Sequence, residues 1–116
     1  VAGLAGGVQE KTSDSPAVPR ALGAVHSADI EYAMGTLPTN RVYDWQPEDY
    51  VISDIFSNYY VNFVKTGNPN GLGLVEWPTT NGKTIAPVLQ IDANTFVKED
   101  PNMEKRYEIM DGLFWK

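Results

Sequence analysis

Residues 48–66, EDYVISDIFSNYYVNFVKT, constrain this chain more than any other stretch. Large apolar side chains stand at Val51, Ile52, Ile55, Phe56, Tyr59, Tyr60, Phe63 and Val64. Their spacing lays them along one broad stripe of an α-helix. Ser53, Asp54, Ser57, Asn58, Asn62 and Lys65 are expected to cover the opposite side. Pro47, Glu48 and Asp49 suit a first turn, Lys65 a last turn and Gly67 a C-cap, while Pro69 blocks continuation. The β-branched and aromatic residues are poor helix formers, so burial of the stripe has to supply most of the stability. At roughly 1.5–3 kcal/mol per large apolar side chain, the stripe is worth on the order of 10–20 kcal/mol gross. Ile52, Ile55, Phe56, Tyr59 and Phe63 are expected innermost, with Asp54 and Lys65 solvated.

The rest of the chain offers shorter elements. Residues 1–22 are rich in Gly, Ala, Pro and Ser and read as a loop, most clearly over QEKTSDSPAVPR at 9–20. A short helix is predicted over 27–34, with Ser27 as N-cap, Asp29 and Glu31 in the first turn and Gly35 closing it. Residues 36–47 read as a connection, and 67–84 as a run of turns. Val88–Ile91 and Thr95–Val97 flank Asp92-Ala-Asn94 and predict a small hairpin. Residues 101–114 predict a last helix carrying Met103, Tyr107, Ile109 and Met110. No strand–helix–strand unit is complete, and there is no internal repeat.

Length and charge bound what these pieces do. The 116 residues amount to about one domain. The formal charge of −6 leaves no basic face for phosphates or anionic lipid, so neither nucleic acid nor a membrane surface is an expected partner. The chain has no cysteine, which removes thiolate nucleophiles, disulfides and thiolate-held metals. Its first residue is Val rather than Met, and the expectation is a piece of a longer protein.

Candidate chemistry narrows to one side chain. His26, in GAVHSADIEY at 23–32, is the single histidine. Read on residue type alone, a general-base role stands beside a structural or merely exposed histidine. One histidine among scattered carboxylates has no metal-ligand spacing, so no metal or cofactor is expected. No Gly-x-Ser-x-Gly elbow is present, and the glycines match neither phosphate-binding fingerprint. The pairs Glu48-Asp49 and Glu99-Asp100 sit beside Pro47 and Pro101, as helix starts or turns do. Tyr59, Tyr60 and Phe63 fit a core stripe better than a ligand platform.

The run GAVHSADIEYAMGTLP at 23–38 resembles the catalytic-histidine segment of type-B carboxylesterases, cholinesterase-related serine hydrolases of the α/β-hydrolase fold. NFVKTGNPNG at 62–71, Trp77-Pro78, the hairpin and Arg106-Tyr107 follow in that family's order, and the resemblance runs from about residue 21 to 112. It is nearest to bacterial members, with which the lack of cysteine agrees. It implies the C-terminal portion of a single α/β-hydrolase domain spanning 1–116, with 23–35 as the catalytic-histidine segment, 48–66 the amphipathic helix and 85–116 the hairpin and last helix. It also implies that His26 is the general base of a triad whose serine and acid lie upstream. Asp29 and Glu31 are close to His26 but are not expected to be the triad acid; Asp29 fits a supporting or helix-start role. The implied activity is hydrolysis of small carboxylic esters through an acyl-enzyme, with the chain inactive alone. Its implied physical partner is the N-terminal remainder of the parent, or further copies of itself. The alternative is a non-catalytic, cholinesterase-like interaction module.

Overall fold

The computed structural model describes residues 26–82 and 85–115. The expected loop over 1–22 and the start of the histidine segment at 23–25 lie outside the described residues, as do positions 83 and 84. Helix α1 (Ile30–Met34) leads through a short 3-10 turn (Leu37–Thr39) and an irregular connection to the long helix α2 (Pro47–Thr66). A turn-rich segment then reaches the strands β1 (Pro87–Gln90) and β2 (Phe96–Glu99), and α3 (Asn102–Phe114) follows.

Helix α2 forms where its pattern predicts. Its start is held by Asp49, whose carboxylate accepts the Gln46 N–H at 2.7 Å while its own N–H donates to the Gln46 backbone carbonyl at 3.0 Å. Gly67 ends it in the left-handed region at φ 76°, donating its N–H to the Phe63 carbonyl. Ile52, Phe56 and Tyr59 are buried against α1 and the hairpin, together with Tyr32, Ala33, Leu37, Leu89 and Ile91.

Four sequence expectations are corrected. Helix α1 begins at Ile30 rather than near 27, because Ser27 sits at φ 65°, outside the extended conformation an N-cap adopts. Ser53, expected on the polar side, is buried and donates its hydroxyl to the Tyr32 carbonyl at 2.8 Å. Phe63, expected innermost, is 58 % exposed and Val64 is 82 % exposed. They lie beyond Tyr59 along the helix, past the reach of α1 and the hairpin. Ile55 is half-buried at the edge of the core rather than inside it.

The strands pair antiparallel, with Leu89 opposite Val97, and present Leu89 to the core. Their turn is tied by Asp92 and Thr95: the Thr95 hydroxyl donates to the Asp92 carbonyl at 2.8 Å, and the Asp92 carboxylate accepts the Ala93 N–H. Helix α3 buries no residue against the rest of the described chain, leaving Tyr107, Ile109, Met110, Leu113 and Phe114 exposed. No described helix is long and apolar enough to cross a membrane.

Candidate functional site

His26 is exposed and opens the turn over 26–29 that runs into α1. Ser27 follows it in the left-handed region at φ 65°, a conformation that costs a non-glycine residue about 1–3 kcal/mol. The turn is closed by the Ile30 N–H donating to the Ser27 carbonyl at 3.3 Å. A kinked backbone therefore presents the imidazole at the surface while α1, immediately behind it, is fixed.

That fixing is the work of Tyr32, which is 1 % exposed. Its hydroxyl donates to Asp49 Oδ1 at 2.7 Å, its carbonyl accepts from Ser53, and its ring meets Trp45 edge to face at 5.6 Å. Trp45 Nε1 donates to the Asn40 carbonyl at 2.8 Å, and Asn40 Nδ2 donates to Glu31 Oε1 at 2.9 Å. The loop between the helices is thus stitched to both. Burial, and then the Asp49 carboxylate, raises the Tyr32 phenol well above its ordinary range, so it stays a donor throughout the neutral and mildly alkaline range.

Glu31 is engaged by Asn40. Asp29 occupies the N-cap of α1, yet its carboxylate makes no capping bond there. It lines a groove of about 260 Å³ with Phe56, Tyr59, Trp77 and Leu89. Among the described residues no carboxylate comes within 4.0 Å of the His26 ring, so neither neighbour is placed to orient it. No three described His, Asp or Glu side chains cluster as metal ligands.

On the far side of the groove, Tyr59 donates to the Val75 carbonyl and meets Trp77 edge to face at 5.8 Å. Asn70 binds Trp77 through both backbone groups. The sequence reading picked out His26, Asp29 and Glu31 but missed Tyr32, Asn40, Trp45, Asp49 and Ser53 as the residues that hold the turn. Asp49 was readable as an acidic first-turn residue of α2, but not as the partner of Tyr32. The others are joined by contacts between distant positions, which no local pattern carries.

Comparison with known proteins gives these elements a setting. A model of the carboxylesterase family matches residues 7–110. Human bile salt-activated lipase is 38% identical over 58 residues, covering 50% of this chain and 8% of the lipase. Rat liver carboxylesterase 1F is 30% identical over 102 residues, covering 87% of this chain and 16% of that protein. The chain thus spans a small part of the curated relatives it matches. Among solved structures, PNB esterase superposes with a TM-score of 0.62 at 23% identity, over 85% of this chain and 20% of its own. Geobacillus stearothermophilus carboxylesterase EST55 does so at 0.59 and 24%, over 81% and 19%. The three helices and the hairpin are part of an α/β-hydrolase fold.

Proposed function

The chain belongs to the carboxylesterase family, and from that premise we propose that the protein carrying it hydrolyses carboxylic esters through an acyl-enzyme, with His26 as general base. One observation carries the reading: the family match spans residues 7–110 and so includes the exposed turn that bears the only histidine of the sequence. In this chemistry a serine hydroxyl, a poor nucleophile by itself, gives its proton to the imidazole as it attacks the ester carbonyl. The imidazolium then returns the proton to the departing alkoxide, and a water molecule repeats the cycle on the acyl-serine. Serine, triad acid and oxyanion donors come from the remainder of the parent. This chain supplies the imidazole, the kinked turn presenting it and the Tyr32–Asp49 anchorage that fixes α1 behind it.

The same remainder is the partner for the uncovered apolar faces. Phe63 and Val64 on α2, with Tyr107, Met110 and Phe114 on α3, are exposed in the described chain. Exposed clusters of this kind mark buried interfaces. The matched relatives are named as lipases and carboxylesterases, which weighs against the alternative of a non-catalytic module.

The test is ester hydrolysis by the full-length protein and its His26→Ala variant. Triad members act as a unit, so kcat on p-nitrophenyl acetate is expected to fall by roughly 10⁴–10⁶-fold with the melting temperature held. A variant keeping a tenth of the wild-type kcat overturns the assignment.

A further inference from the structure

The sequence contains two Asn-Gly dipeptides, Asn70-Gly71 and Asn81-Gly82. An asparagine followed by glycine is open to spontaneous deamidation, because no Cβ on the next residue shields its backbone nitrogen. That nitrogen attacks the asparagine Cγ, a C–N bond forms and ammonia leaves, giving a five-membered succinimide. Water then opens the ring at either carbonyl to aspartate or isoaspartate. The reaction consumes one water, releases one ammonia and needs no other reactant. The reacting Asn-Gly pair is the same at both sites, so the fold decides which of them reacts.

We propose that Asn81 is a site of spontaneous deamidation in the native protein and that the fold protects Asn70. Asn81 and Gly82 are exposed and stand at consecutive positive φ, 29° and 71°. Nothing lies within 4 Å of where a Gly82 Cβ would be, so the bond that must deform is surrounded by open space. Asn70 is clasped instead. Its Oδ1 accepts the Trp77 N–H at 2.6 Å and its Nδ2 donates to the Trp77 carbonyl at 3.0 Å. Its own N–H donates to Asn68 Oδ1, and the Gly71 carbonyl accepts the Leu74 N–H. Gly71 also lies so close to Asn62 that a Cβ there would strike the Asn62 amide. For Cγ of Asn70 to reach the Gly71 nitrogen, both bonds to Trp77 must break in a backbone already pinned on each side. Two such bonds make that opening about tenfold or more rarer.

The experiment incubates the full-length native protein at mildly alkaline pH, with a parallel sample in concentrated urea, and measures aspartate and isoaspartate at both sites by tandem mass spectrometry. Asn81 is expected to convert about tenfold or more faster than Asn70 in the native sample, with the gap closing in urea. The Asn81→Gln variant should lose most of the native isoaspartate. Equal native rates, faster conversion at Asn70, or a gap of the same size in urea would each overturn the proposal.

Discussion

The Tyr32 hydroxyl and the Gln46 N–H share one carboxylate: Asp49 Oδ1 accepts from the phenol at 2.7 Å and Oδ2 from the backbone at 2.7 Å. A single side chain thus caps α2 and ties α1 to it. Removing the carboxylate loses the cap and strands a buried phenol, whereas removing the phenol leaves the cap intact. Asp49→Ala is therefore expected to destabilise the full-length protein by about 2–4 kcal/mol and Tyr32→Phe by about 1–2 kcal/mol. In urea unfolding, the double variant should be less destabilised than the sum of the singles. Simple additivity would mean that the bond contributes nothing.

Among the described residues, Ser53 is the one buried polar side chain of the core. Ser53→Ala removes the donor to the Tyr32 carbonyl, and the expected loss is about 1 kcal/mol in the same assay. The change stays modest because that carbonyl also accepts the Gly35 N–H at 3.3 Å. A gain in stability would show that the hydroxyl is not needed.

Phe56 and Phe63 lie on the same helix with opposite exposure, buried and 58 % exposed. In the full-length protein both are expected to be covered, so Phe56→Ala and Phe63→Ala should each destabilise by about 3–5 kcal/mol. The isolated chain should self-associate through the Phe63 face at low micromolar concentration, and sedimentation of Phe63→Asp should show the association weakened. A wild-type chain that stays a cooperatively unfolding monomer would contradict this.

The isolated chain is expected to turn over p-nitrophenyl acetate no faster than free imidazole at equal concentration, since its sequence has no Gly-x-Ser-x-Gly elbow and the oxyanion donors are proposed to come from the rest of the parent. A saturable reaction with a stoichiometric burst would sink the assignment of those groups to the rest of the parent.

Burial raises the phenols of Tyr32 and Tyr59 above their ordinary value of 10.0. Folded, they keep protons that the unfolded chain releases near that pH, so the unfolded state binds fewer protons there. Stability contributed by these groups is full below about pH 10 and falls as the pH rises, until the folded phenols themselves ionise. Tyr32→Phe should flatten the loss between about pH 9.5 and 11, measured by thermal melts of the full-length protein. An unchanged slope would exclude Tyr32 as a source of the alkaline sensitivity.

What the sequence determined by itself is local. The span of α2 was readable because Pro47, Asp49, Lys65 and Gly67 act on the helix backbone within a turn of where they stand. The hairpin was readable for the same reason, in Asp92 and Thr95 flanking a short loop. The family resemblance at 23–38 was carried by residue order alone. Tertiary structure decided the rest. Ser53 looks like a surface residue until α1 brings a carbonyl to it, and Tyr32 looks like any core aromatic until Asp49 arrives from 17 positions away. Phe63 continues the stripe of Phe56 and Tyr59, but α1 and the hairpin end before they reach it. Periodicity says which side chains can share a face of a helix. Which part of that face is covered depends on how far the neighbouring elements extend, and that is set by contacts between residues far apart in the chain.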